Sequence, residues 1–108
     1  DREIDLAGRW VGDYGGHGEE LVLVLQIGPK IVARKLTGDP NVPAGKVTFR
    51  ARLRGFGGNG EGQIADPGFR NPRFVPGRLC LRGRDQFVFV WQGVGSVLFR
   101  RVGKAVPV

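Results

Sequence analysis

The side chains able to do chemistry are few. The chain holds one histidine (His17), one cysteine (Cys80) and one serine (Ser96). One His and one Cys cannot build a zinc site of the usual kind. A Cys80–His17 nucleophile pair is formally conceivable, but Cys80 stands between Leu79 and Leu81. A mid-strand thiol in that setting reads as buried and inert. Ser96 has no nucleophile elbow around it. The glycine-rich Gly55–Gly62 stretch leads into neither a helix nor a Lys-Ser/Thr pair, so it is not a phosphate loop. Asp13 and Asp39 are the one carboxylate pair worth weighing, and nothing in the sequence brings them together. The expectation is a protein that is not an enzyme and carries no metal or cofactor.

Binding chemistry is better represented. Lys35 to Lys46 reads KLTGDPNVPAGK, with Pro40 and Pro43 fixing φ and Gly38 and Gly45 free to take positive φ. An ordinary hairpin needs only two to five loop residues, so this loop is long and stiff for its place. It presents Asp39 and Asn41. It reads as a binding site or its frame, although the same residue types also build plain turns. Tyr14 and His17, in the turn Tyr14-Gly15-Gly16-His17-Gly18, are candidates for a second wall. His17 reads equally well as a capped turn histidine.

The elements that must position these residues read as short strands. Segments 6–13, 20–27, 31–37, 46–54, 78–82, 86–92 and 96–102 are expected strands, with a weak one at 60–65. Segment 66–77, with Pro67, Pro72 and Pro76, is expected to be irregular, pinned to the rest by Phe69 and Phe74. No segment keeps a helical period beyond a turn or two. With 108 residues, 19 glycines and 7 prolines, the chain fits one domain, 1–108. The expected fold is all-β: a small closed or nearly closed antiparallel barrel of about eight strands, a lipocalin-like meander. No apolar run reaches the ~18 residues of a membrane-spanning helix. The opening Asp1–Asp5 is not a signal peptide, and a start without Met reads as a processed chain or an excised domain. One cysteine excludes an internal disulfide and fits an intracellular, reducing compartment.

Net charge is +7, from 13 Arg and 4 Lys against 10 acidic residues. Val47, Phe49, Ala51 and Leu53 alternate with Thr48, Arg50, Arg52 and Arg54, which reads as a half-buried strand with a basic outer face. Leu21–Leu25 and Phe87–Trp91 are apolar on both faces. A one-layer barrel covers only its inner face, so Val22, Val24, Val88 and Val90 are expected on an outer patch. With Arg50, Arg52 and Arg54 they form an expected partner interface, unless segment 66–77 covers the valines. Nucleic acid is a weaker partner, because the aromatics lie on the faces opposite the arginines.

Leu6-Ala7-Gly8-Arg9-Trp10, then Gly12-Asp13-Tyr14-Gly15-Gly16-His17-Gly18-Glu19, then Thr37-Gly38-Asp39-Pro40-Asn41-Val42-Pro43-Ala44-Gly45 resemble the substrate-binding barrel of the cyclin-D-binding F-box proteins. Gly62-Gln63-Ile64-Ala65 and Asp85-Gln86-Phe87-Val88-Phe89-Val90-Trp91 continue the likeness in order. A similar domain occurs in chloroplast EXECUTER proteins, where it is associated with singlet-oxygen sensing. The resemblance implies a non-catalytic β-barrel that captures a protein's C-terminal peptide as a degron reader. Its ligand would meet Tyr14, His17, Lys35, Thr37, Asp39 and Asn41, with Arg100 facing a carboxylate. No helix precedes the barrel, so no F-box is expected within these residues, and ligase function is not implied for them alone. An accessory structural subunit of a large complex, held by the outer wall, is the alternative. The compartments implied are cytoplasm or nucleus for the first reading and plastid stroma for the second. Likeness to EXECUTER adds a redox reading through Trp10 or Trp91.

Overall fold

The computed structural model describes residues 4–103. The two ends of the expected 1–108 domain, including Asp1–Glu3 of the opening stretch, lie outside the described residues. The strands are β1 (Gly8–Asp13), β2 (Glu19–Ile27), β3 (Lys30–Lys35), β4 (Val47–Arg52), β5 (Gly57–Asp66), β6 (Arg70–Leu81), β7 (Gln86–Trp91) and β8 (Gly95–Gly103). Each pairs antiparallel with the next, and β1 closes on β8. The expected eight-stranded antiparallel barrel is therefore what forms. Among the described residues the one helical element is a three-residue 3₁₀ turn, Gly15–His17.

Aromatic side chains fill the interior. Phe49 stacks on Phe89 at 4.3 Å, Phe87 on Phe99 at 4.9 Å, and Trp10 meets Phe87 edge-on at 4.6 Å. Rings of this size fit an eight-stranded bore only where the wall gives way. Glycines do this. A Cβ on Gly62 would run into the Trp91 indole, and one on Gly77 into the Phe89 ring. These two positions are small because the rings on nearby β7 are large.

Up-and-down connectivity sorts the turns to two ends. The β1–β2, β3–β4, β5–β6 and β7–β8 connections share one end, the mouth. The residues before β1 close the other end. Leu6 is fully buried there; its amide donates to Gln26 Oε1 at 2.8 Å, and its carbonyl accepts Trp10 Nε1 at 2.8 Å. The Arg101 guanidinium lies 4.5 Å over the Trp10 ring. Among the described residues the mouth has no such plug of buried apolar chain.

Three expectations need correction. Segment 66–77 is not irregular: β5 and β6 are the two longest strands, and β6 runs through Pro72 and Pro76. Residues 70–76 pair with β5 alone, and pairing with β7 begins only at Gly77. Pro76 points its carbonyl toward β7, where it accepts the Gln92 amide at 2.9 Å. Its missing N–H faces the same way and interrupts no bond to β5. Second, Val22 and Val24 are inside, fully buried. They stand opposite Trp10 and Gly8, and directly paired residues share a face. Leu21, Leu23 and Leu25 face out instead, with Leu25 43% exposed. Val88 and Val90 are half-buried on the outer wall, and Val88 pairs with the exposed Leu98. Third, Thr48 is buried rather than in line with Arg50 and Arg52. The β3–β4 ladder shifts between Ala33 and Arg34, and this bulge turns Thr48 and Phe49 both inward.

Gly62→Ala should lower stability by about 1–3 kcal/mol, because it overpacks a filled core. Gly16→Ala, with no atom within 4 Å of a new Cβ, should change stability by less than about 0.5 kcal/mol. Thermal unfolding of the two variants side by side checks the difference.

Candidate functional site: a lysine-centred mouth

Two charged residues run in phase with core residues. Glu20 precedes the inward Val22 and Val24 on β2, and Lys35 follows the inward Ile31 and Ala33 on β3. Both are buried. The Lys35 ammonium ion-pairs with Asp39 and lies 3.4 Å from Glu20 Oε1. It also sits 4.3 Å from the centroid of the Tyr14 ring. A buried ammonium is costly unless opposite charge and acceptors surround it. Here two carboxylates and one π-face supply both.

The long loop is built from the same charge. Asp39 turns one oxygen to Lys35 and the other to its own loop, accepting the Asn41 amide at 2.8 Å and the Val42 amide at 2.7 Å. The Asp39 amide in turn donates to the Val42 carbonyl at 3.1 Å. Burial pushes the Asp39 carboxyl upward, but the hydrogen bonds from Lys35, Val42 and Asn41, together with the lysine charge, outweigh it and hold the carboxyl below its usual range. Asn41 reaches across to donate to the Ala65 carbonyl at 2.8 Å, and the Gly68 amide donates to the Pro40 carbonyl at 2.8 Å. These two bonds clasp the loop to the tip of the β5–β6 hairpin. Phe69 and Asn71 at that tip hold positive φ, 56° and 51°, a strained conformation for non-glycine residues.

Tyr14 is braced likewise. Its hydroxyl shares a 3.0 Å hydrogen bond with Thr48 Oγ1, and its ring meets Trp91 and Phe99 edge-on at 5.9 and 5.8 Å. Burial pushes its phenol well above the ordinary value; the Glu20 and Asp39 carboxylates push the same way, and the Thr48 bond only partly offsets them. Tyr14 therefore stays neutral at any physiological pH.

Above this floor lies a cavity of ≈ 420 Å³. Tyr14, His17, Lys35, Asp39 and Asn41, the candidates named from the sequence, line it together. Thr37 and Arg100 do not. Thr37 Oγ1 donates to Glu20 at 3.0 Å and accepts the Leu21 amide at 3.0 Å, so it holds Glu20 in place. Arg100 points outward and pairs with Glu19 at 3.1 Å, because inward Phe99 fixes its neighbour to the outer face. The cation at the rim is Arg73, brought there by the long β6 strand. Ile64, Trp91, Val94 and Val97 supply apolar wall. Sequence reasoning missed Glu20, Thr48, Arg73 and the Trp91 wall. For Glu20 alternation gave no signal, because β2 is apolar on both faces and only its register on β1 puts the side shared with Val22 and Val24 inside. For Arg73 there was none, because the strand that carries it reads as a loop. Cys80 lies toward the closed end, opposite Gly57, far along the barrel from His17 at the mouth.

A family model described as the cyclin D1 binding domain matches residues 2–58 and 53–105. The chain belongs to that family. EXECUTER 2, a chloroplastic protein of Arabidopsis thaliana, is 36% identical over 119 aligned positions, covering 77% of this chain and 18% of that protein. EXECUTER 1 of the same plant is 40% identical over 91 positions, covering 68% of this chain and 13% of that protein. F-box only protein 31 of Homo sapiens is 45% identical over 47 positions, covering 44% of this chain and 9% of that protein. The chain thus spans less than a fifth of the length of the curated relatives it matches. The family is, by its description, one of protein-binding domains.

Lys35→Met should destabilise the protein by about 3–5 kcal/mol near pH 7, because it leaves two carboxylates buried without a cation. Adding Glu20→Gln and Asp39→Asn to it should restore much of the loss. Chemical denaturation of the single and triple variants measures both. The depressed Asp39 carboxyl stabilises the fold fully above the ordinary carboxylate value of about 3.9. That share is lost as pH falls below this value toward the lower folded one. The stability of Asp39→Asn should therefore fall less steeply below about pH 4 than that of the parent.

Proposed function

We propose that this domain is a non-catalytic reader of protein C-terminal segments, with the peptide end seated in the mouth cavity. The observation that carries the reading is the lysine-centred floor. It braces the β1–β2 and β3–β4 connections and, through Asn41 and Pro40, the β5–β6 tip, around a cavity with apolar walls and a few polar groups, the usual form of a specific recognition site. His17 and Asn41 supply hydrogen bonds. Trp91 and Val94 take the last apolar side chain, and Arg73 lies where it can pair with ligand charge. Lys35 and Asp39 brace the site rather than contact the ligand, because each satisfies the other. Membership in a family described as cyclin D1 binding supports a protein ligand. The chloroplastic EXECUTER relatives support a plastid setting.

A second reading is an assembly subunit held by its outer wall. The outward leucines 21, 23, 25 and 98 with Val88 and Val90 favour it. No described helix is long and apolar enough to cross a membrane.

Calorimetric titration against a library of peptide C-termini tests the first reading. Selected peptides should bind, and the same sequences extended beyond their ends should not. His17→Ala and Arg73→Ala should each weaken binding about tenfold or more, the worth of one good polar contact, while leaving the fold intact, since both side chains are exposed at the rim. Equal binding by extended and unextended peptides would remove the C-terminal reading. A stable oligomer in sedimentation, disrupted by Leu23→Ser with Leu98→Ser, would favour the second.

A further inference from the structure

The end of the barrel opposite the cavity has a different chemistry. Two of its hairpin turns carry a large apolar side chain almost wholly in solvent: Ile27 is 81% exposed and Phe56 79%. Neither sits on a loose tip. Ile27 pairs with Lys30 across the two-residue turn Gly28-Pro29, with Gly28 at φ 57°. Phe56 follows Gly55, at φ 60°, in a turn closed by the Arg54 amide on the Gly57 carbonyl at 2.6 Å and by the reverse bond at 3.2 Å. Two-residue turns that open on glycine are stiff. The two are also tied to the body of the barrel. The Leu53 amide donates to the Pro29 carbonyl at 2.7 Å, and the Leu81 amide to the Phe56 carbonyl at 2.7 Å. Ile27 and Phe56 are thus held out in water by backbone that cannot fold them back.

A collar of positive charge surrounds them. Lys30, Arg52 and Arg54 flank these turns, and Arg82 and Arg84 lie at the β6–β7 turn of the same end. All five are exposed. Among the described residues none of them has an ion-pair partner. Lys30 and Arg52 stand directly opposite one another in the β3–β4 ladder, an arrangement that works against strand pairing. Asp85, the acidic residue of the β6–β7 turn, is engaged by Arg101 at 3.0 Å. Among the described residues, the collar's five cations are left without an ion-pair partner.

We propose that this end docks on an anionic lipid bilayer. Ile27 and Phe56 enter the acyl boundary while Lys30, Arg52, Arg54, Arg82 and Arg84 meet headgroup phosphates. Apolar insertion combined with attraction to anionic headgroups is the chemistry of peripheral membrane binding. Two rigid prongs that protrude from turns match a surface that parts around them. A folded acidic protein would need a hole for each, and single-stranded nucleic acid would find one aromatic ring at this end to stack on. The docked barrel turns its mouth away from the lipid, so the cavity stays open to its ligand.

Co-sedimentation of the chain with phosphatidylglycerol-rich vesicles and with phosphatidylcholine vesicles tests the proposal. Binding should be strong on the first and weak on the second. It should fall sharply at about 1 M salt, where the Debye length is about 3 Å. Arg52→Ser with Arg54→Ser should weaken it about tenfold or more. Ile27→Ser with Phe56→Ser should do the same, without change in unfolding temperature, since neither side chain packs on the core. Three outcomes overturn the proposal: no binding to anionic vesicles at low salt, equal binding to both vesicle types, or loss in the charge variant with the tip variant unchanged. The last is the pattern of a partner docked by charge alone, such as nucleic acid or an acidic protein.

Discussion

One buried ammonium holds the mouth of this barrel together. Lys35 points inward from β3 at a level where the aromatic core ends, and the chain answers it with Glu20 from β2, Asp39 from the following loop and the Tyr14 ring. Each partner is committed in turn. Glu20 is held by Thr37, Asp39 by two loop amides, and Tyr14 by Thr48. In a low-dielectric site such a network is stable only when complete, since any member left alone bears its desolvation cost unaided. The long loop is ordered because one of its side chains completes a charge cluster, and its prolines then lower the entropy lost in ordering it. Rigidity at the mouth is thus a consequence of charge burial.

The core below imposes the second constraint. An eight-stranded bore has a fixed width, and six large rings occupy it: Trp10, Phe49, Phe87, Phe89, Trp91 and Phe99. Glycines stand in the wall against three of them, Gly62 at Trp91, Gly77 at Phe89 and Gly12 at Phe99. The same crowding decides which residues face out. Once Trp10 is inside, the register of β1 on β2 brings Val22 inside with it and sends the leucines to the surface. The two ends then differ in kind. At one, four hairpin connections gather around a braced cavity. At the other, the segment before β1 plugs the barrel and short turns present apolar tips among arginines. One barrel can therefore hold two surfaces of different chemistry without either disturbing the other.

Much of this was legible in the residues. Alternation and turn chemistry marked the strands and the all-β class, and the density of Asp, Asn, Pro and Gly marked the 35–46 loop as unusual. Lys35 in phase with Ile31 and Ala33, and out of phase with Arg34, carried the signal of an inward charge. Other features could not be read this way. A strand apolar on both faces has no periodicity to say which side is in, and only the register of β2 on β1 puts its valines inside. Pro72 and Pro76 argued for a loop, because local propensity does not reveal that β6 has a neighbour on only one side there. Thr48 belonged to the outer face by count, and one bulge turned it inward.

The sequence by itself determined most of the strands, the stiff 35–46 loop and the chemistry available, because strand propensity, turn geometry and side-chain type are local properties. Only the tertiary structure decided which residues meet. Closure of β1 on β8 gathers four connections at one end and places Arg73, rather than Arg100, beside His17 and Asn41. Register and bulges choose the face of every side chain, and they are set by pairing between strands distant in sequence. The site depends on those long-range choices, and alternation along one strand carries no record of them.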